Sequence, residues 1–223
     1  NKLSLHEVEP YICAPHGEVA GFFDGVLVKN VELEKIYPPA PSAISKLKEF
    51  VQKNKIELLW ANSPKAAPLA AIVSKRTSCP AVWAVHDIMK PTLKNRLFTK
   101  VLSKRFEKIV AVSDATKKRL IELGASDEKV VVAKPGIDLQ SWRAQANGKK
   151  HLELAHPAVV MVGALTHWKG QHIFLDAAKF ILDRGFDANF YIVGDILDDK
   201  DVAYKAEILE KLSTPPLSGF VHY

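Results

Sequence analysis

Two kinds of apolar spacing alternate along this chain. Short, nearly continuous apolar runs give way to longer segments whose apolar positions recur every three or four residues. The continuous runs predict strands at Ile56 to Ala61, Pro80 to Val85, Lys108 to Val112, Lys129 to Ala133, Ala158 to Val162, Asn189 to Val193 and Phe220 to His222. Weaker strands are expected at Tyr11 to Ala14 and Val26 to Val31. A helix opens at Pro41-Ser42 with Ile44, Leu47 and Val51 at helical spacing. Further helices are expected over Ala66 to Ser74, Asp114 to Leu123 (closed by Gly124), Gln171 to Leu182 and Val202 to Leu212. Leu93 to Phe106 reads as a helix with Leu97, Val101 and Leu102 on one face. Apolar strands alternating with helices predict an α/β protein whose parallel sheets are covered on both faces.

A polar segment around Asn147-Gly148-Lys149-Lys150 interrupts the alternation. It divides the chain into an expected first domain over 1–140, a linker over 141–156 and the start of a second domain over 157–223. Both domains are expected to be doubly wound, with a cleft between them. The chain does not begin with Met and ends on the strand-like Phe220-Val221-His222-Tyr223. The expectation is therefore a piece of a longer protein, incomplete at both ends.

Composition narrows this picture only slightly. A 48% hydrophobic and 25% charged chain of 223 residues is ordinary for a globular protein. No apolar run is long enough to span a bilayer. Cys13 and Cys79 sit in or beside apolar runs, so buried free thiols in a reducing compartment are expected. The net charge of +6 suits an anionic ligand or an acidic membrane surface. Much of the positive charge lies on the Leu93 to Phe106 segment, as Lys94, Arg96, Lys100, Lys104 and Arg105. Such a helix can rest on anionic lipid, although a solvated face is the commoner explanation. Aromatic-basic interleaving of the nucleic-acid-binding kind is absent, and so is clustered Cys/His metal spacing.

In parallel α/β sheets, ligands bind beyond the carboxyl ends of the strands. The residues expected there are Asn62-Ser63, His86-Asp87, Ser113-Asp114, Pro135-Gly136, Gly163 and Gly194-Asp195. Each has a plain alternative. His86 can be a turn histidine paired with Asp87, Ser113 can cap its helix, Pro135 to Asp138 can be a turn, and Asp195 can be a helix cap. Lys169-Gly170 is the most pointed signal. A lysine in the first turn of a helix faces that end's partial positive charge. The placement becomes favourable when an anion binds there, because N–H groups, a flexible glycine and an ammonium then converge on it.

Taken together, these segments resemble the retaining glycosyltransferases of family 4, which have the two-domain GT-B fold with Rossmann-like halves. Val82 to Asp87 is similar to the family's strand ending in His-Asp. Ile109 to Thr116 with Leu120 is similar to its "V-S-x-x-T…L" element, and Val130 to Asp138 to its "V-x-x-x-N-G-I-D" element. Val162-Gly163-Ala164-Leu165, continuing to Lys169-Gly170, resembles its "V-G-R-L…K-G" phosphate element. Val193-Gly194-Asp195 and Gly219-Phe220-Val221 resemble the strand ends that follow.

The resemblance implies metal-independent transfer of a hexose from a UDP- or GDP-sugar to a sugar, glycan or lipid-linked acceptor. It implies retention at the anomeric carbon, in glycan or glycolipid biosynthesis, with no cofactor. By the matching motifs, Lys169 would neutralise diphosphate charge as the leaving group departs, and His86 would lie at the reacting sugar. Gly136, Gly163, Gly170, Gly194 and Asp195 would serve the donor, with Ser113 and Asp87 elsewhere in the cleft. The implied setting is cytoplasmic, with peripheral contact at the inner membrane face.

Some positions depart from the family pattern. Ala164 stands where Arg is common, Lys134-Pro135-Gly136 replaces Pro-Asn-Gly, and only His16-Gly17-Glu18 suggests the N-terminal glycine loop. The family's paired glutamates would follow Tyr223. These departures keep a second expectation alive, a non-catalytic nucleotide-binding or interaction module on the same fold. A nicotinamide-dependent dehydrogenase is disfavoured, because no G-x-G-x-x-G follows any strand.

Overall fold

The computed structural model describes residues 8–14, 29–33, 36–146, 153–197 and 199–223. His16-Gly17-Glu18 and Asn147 to Lys150 lie outside the described residues. The chain separates into two compact units, Asn1–Asp138 and Leu139–Tyr223.

In the first unit, strands β1 (Tyr11–Ala14) and β2 (Lys29–Glu32) form a parallel pair. Helix α1 (Pro41–Lys53) follows, with proline in its first turn and Ala43, Ile44, Leu47 and Val51 buried. Strands β3 (Leu59–Ala61), β4 (Ala81–Val85), β5 (Lys108–Ala111) and β6 (Val130–Val132) make a parallel sheet in that spatial order. The crossovers are α2 (Ala67–Thr77), α3 (Leu93–Leu102) and α4 (Asp114–Glu122). Because sequential strands are spatial neighbours, their carboxyl ends bring residues 62, 86, 113 and 134 to one edge of the sheet.

Strand β4 is the centre of this core. Trp83 is fully buried, and its ring meets Phe98 at 5.9 Å and Phe106 at 5.8 Å. Cys79 is buried too, with its thiol donating to the Ile56 carbonyl at 3.2 Å. Burial pushes that thiol above its ordinary value, partly offset by a backbone hydrogen bond from Leu59. Cys13, expected to be buried, is exposed.

Helix α3 also turns differently from its sequence expectation. Thr99 and Ser103 are buried, and Phe98 and Leu102 pack on the core beside them. Leu97 and Val101 face outward. Of the three residues expected on one face only Leu102 packs inward, and the small Thr99 and Ser103 let the helix approach closely with Phe98 as its anchor.

In the second unit, α5 (Leu139–Ala146) is a helix where a linker was expected. Strands β7 (Ala158–Val162), β8 (Asn189–Val193) and β9 (Val221–His222) form a parallel sheet in that order. Between them run α6 (Gln171–Leu182), α7 (Val202–Leu212) and the short α8 (Leu217–Phe220). Phe220 therefore closes a helix instead of opening the last strand. The core gathers Leu165, Leu175, Ala178, Phe190, Ile192, Ile208 and Leu217.

Candidate active site

At the strand ends of the first unit, His86 follows β4 directly and is exposed. Its Nε2 lies 2.9 Å from Asn62 Oδ1, and Trp60 Nε1 donates to the same oxygen at 3.3 Å. A carbonyl oxygen only accepts, so Nε2 carries a hydrogen and Nδ1 is left to meet other groups. The partner is Asn62, from the neighbouring strand end, and not the adjacent Asp87. Asp87 is exposed.

Ser113 behaves as the plain alternative predicts. Its hydroxyl accepts from the Thr116 N–H at 3.1 Å and caps α4. Lys134, after β6, pairs with Asp114 at 3.2 Å with both side chains exposed. Pro135 to Asp138 is irregular chain, not the expected turn. Gly136 is exposed, and a Cβ added there would meet nothing within 4 Å. Nothing in its surroundings therefore demands glycine.

The second unit brings its candidates much closer together. Strands β7 and β8 end side by side, with the Gly163 N–H donating to the Val193 carbonyl at 2.9 Å. The Leu165 N–H then donates to the Asp195 carbonyl at 3.0 Å. Gly194 has φ +140°, and a Cβ there would overlap the Gly163 carbonyl. Only glycine fits so close an approach. The chain then runs through a 3₁₀ turn, His167–Lys169, to Gly170, which has φ +81° and is the N-cap of α6. Lys169 thus precedes the helix instead of lying in its first turn as the sequence suggested. Its side chain folds back, with Cδ 3.9 Å from where a Gly163 Cβ would be and Nζ 4.2 Å from the centre of the Trp168 ring. Lys169, Gly163, Gly170 and Gly194 therefore share one end of the β7–β8 pair.

The start of α6 has no side-chain cap and no acidic residue in its first turn. Its positive end thus has no carboxylate in the helix's own first turn to compensate it. It is held from behind by residues the sequence reading missed. Tyr204, on α7, accepts from the His172 N–H at 3.1 Å. Its hydroxyl donates to Gln171 Oε1 at 3.4 Å. Having spent that proton, it accepts from His172 Nδ1 at 2.9 Å. Gln171 is fully buried, and its Nε2 donates to the Ala164 carbonyl at 2.8 Å. Together they tie the loop after β7 to the helix that follows. The rings of His167 and His172 stack at 4.5 Å beside this network. No local pattern marks Tyr204, which arrives from the next helix. A glutamine at the start of a largely apolar helix was the one available signal for Gln171.

Asp195 is less open than expected. Its Oδ1 accepts from Lys205 Nζ at 2.7 Å, the Ile196 N–H at 2.7 Å and the Tyr223 hydroxyl at 3.1 Å. The Lys205 hydrogen bond, followed by that of Ile196, holds the Asp195 carboxyl below its ordinary value. The same contact, then Tyr223, raises Lys205. Among the described residues, no group of three or more metal-ligating side chains comes together.

Several known proteins share this architecture. HepE of Anabaena in complex with UDP superposes with a TM-score of 0.72 at 18% identity, covering 96% of this chain and 68% of that one. HepE in complex with UDP-glucose gives a TM-score of 0.70 at 21% identity, covering 95% and 60%. A glycosyltransferase from Rickettsia africae ESF-5 gives 0.77 at 18% identity, covering 100% and 61%. Identities this low show a common GT-B fold, and this chain spans between 60% and 68% of those proteins. No curated protein matches the sequence. The model for Glycosyltransferase Family 4 matches residues 3–141, most of the first unit and more than half of the chain. The glycine- and lysine-bearing end of β7 and β8 lies outside that match. On the strength of the first unit, the chain belongs to Glycosyltransferase Family 4.

Proposed function

We propose that the end of the β7–β8 pair binds the diphosphate of a nucleotide-sugar, and that the protein transfers the sugar with retention of anomeric configuration. The observation that carries this is the convergence of Lys169 and three glycines at a helix start with no acid in its first turn. Backbone N–H groups and one ammonium suit a diphosphate, whose charge grows as the glycosidic bond breaks. Support for a uridine donor comes from HepE, whose similar structures hold UDP and UDP-glucose. The donor is then a UDP-hexose and the acceptor a sugar, glycan or lipid-linked sugar. In this reading the reaction needs no metal.

His86 belongs to the reacting end. With Nε2 engaged by Asn62, its Nδ1 can hydrogen-bond a sugar hydroxyl and orient it. Asp195 contributes backbone, through the carbonyl that holds Leu165, while its carboxylate stays on Lys205. Gly163 and Gly194 let the donor approach the strand ends.

Isothermal titration with UDP tests the donor site. Wild-type protein should bind, and Lys169→Ala should weaken binding by about 1.5–3 kcal/mol, the range for a hydrogen bond to a charged group. Equal affinity in the two proteins would remove Lys169 from the site. One feature favours a second reading, a binding module without turnover. Ala164 cannot supply the cationic contact that arginine makes at that motif position. UDP-sugar binding with no transfer of labelled sugar by the protein would select that reading.

A further inference from the structure

Of the four tryptophans in the chain, Trp168 is the most exposed, at 77%. It sits in the 3₁₀ turn His167–Lys169 that leads from β7 to α6. Backbone bonds hold that turn: the Lys169 N–H donates to the Thr166 carbonyl at 2.9 Å, and the Gly170 N–H to the His167 carbonyl at 3.2 Å. On the neighbouring residue, the His167 ring stacks on His172. The turn therefore forms without help from the indole, and no core packing accounts for it. A large aromatic ring left in water is an unfavourable placement unless it serves another group.

The group it serves is its neighbour. The Lys169 ammonium lies 4.2 Å from the centre of the Trp168 ring, well inside cation–π range. Among the described residues, no ion pair or hydrogen bond holds this ammonium. The sequence supplies no Asp or Glu between Glu153 and Asp176, and Asp176 is engaged by Lys211 at 3.5 Å. The difference between the two kinds of partner matters here. A carboxylate would fix the lysine but cancel the charge that an anionic ligand needs. An aromatic face attracts a cation through its quadrupole and carries no net charge. The ammonium stays fully positive, and its N–H donors stay available.

We propose that Trp168 is a positioning residue for the diphosphate, holding the Lys169 ammonium over its ring so that the cation meets the phosphates already oriented. The proposal rests on the donor-site reading of Lys169 given above. A lysine side chain has much rotamer freedom to lose when it is fixed on a ligand. Restricting that freedom beforehand lets more of the interaction appear as affinity.

Titration calorimetry with UDP and with inorganic pyrophosphate tests it. Trp168→Leu keeps apolar bulk but removes the π face, and should weaken both ligands by the same factor, about two- to fivefold. Trp168→Phe should keep most of the wild-type affinity. In a Lys169→Ala background, Trp168→Leu should add no further loss, because the indole acts through the lysine. Trp168 lies on the surface, so the Leu variant should show an unchanged circular dichroism spectrum. Full UDP and pyrophosphate affinity in Trp168→Leu, with Lys169→Ala still weakened, would overturn this proposal and leave the donor site standing. A loss for UDP but not for pyrophosphate would overturn it too, since the ring would then serve the base. Equal loss in the Leu and Phe variants would show that bulk, not the aromatic face, is what counts. UDP affinity unchanged by Lys169→Ala would remove the donor-site reading and this inference with it.

Discussion

Strands β4 and β7 are almost the same sentence in different surroundings. Ala81–Val85 reads AVWAV and Ala158–Val162 reads AVVMV. In β4, Trp83 and Val85 are fully buried and Ala81 and Ala84 nearly so. In β7, Val159, Val160 and Val162 are 42%, 44% and 76% exposed. The first strand has neighbours on both sides, whereas among the described residues the second pairs with β8 alone. An apolar run thus specifies a strand fit for a sheet interior, and the neighbours decide whether its faces are covered. The functional consequence runs the same way. Strand β4 delivers His86 from a buried interior, while β7 delivers Gly163 from a strand with exposed valines.

The sharpest way to break this contrast is in the buried strand. Trp83→Ala should cost about 3–5 kcal/mol in urea denaturation, the range for emptying a large aromatic site. A loss below about 1 kcal/mol would mean that the first unit's core is not organised around β4. Next comes the network behind the glycine loop. Tyr204→Phe strips an acceptor from the His172 N–H and a donor from Gln171, and should cost about 1–3 kcal/mol. It should also weaken UDP binding, although Tyr204 lies behind the loop. A stability loss with unchanged affinity would separate the network from the site.

A smaller effect is electrostatic. Because Lys205 holds the Asp195 carboxyl below its ordinary value, their contact is intact above the usual carboxylate range. It is lost as pH falls through the lowered value. At the other end, Lys205 is raised, so the contact is complete below the usual lysine value and fades as pH climbs through the raised one. Carboxyl NMR titration should find the Asp195 midpoint low in the wild type and higher in Lys205→Met. The same midpoint in both would remove the pairing. The smallest effect belongs to the exposed strand. Val162→Thr should alter stability by no more than about 0.5 kcal/mol, as at most surface positions. A larger loss would show that the β7 face is covered in solution.

Periodicity made most elements legible. Strands β1, β7 and β8 and helices α1, α6 and α7 lie where apolar spacing puts them. What it missed depends on contacts made at a distance. Helix α5 is amphipathic too weakly to stand out from the polar segment around it. The orientation of α3 turns on buried Thr99 and Ser103, which hydrophobicity alone assigns to solvent. At the candidate site, glycines and a lysine are readable because their chemistry is local. Gln171 and Tyr204 are not, because each acts through a partner on another element, and Asn62 is legible at a strand end but not in its pairing to His86.

The central claim is that the end of the β7–β8 pair receives a diphosphate. An isotope-labelled sample titrated with UDP addresses it residue by residue. The amides of Gly163, Gly170, Gln171, Ile173 and Gly194 should shift together along one binding curve, and Lys169→Ala should move that curve to higher UDP concentration. Shifts confined to other parts of the chain, with these amides unmoved at saturation, would contradict the account.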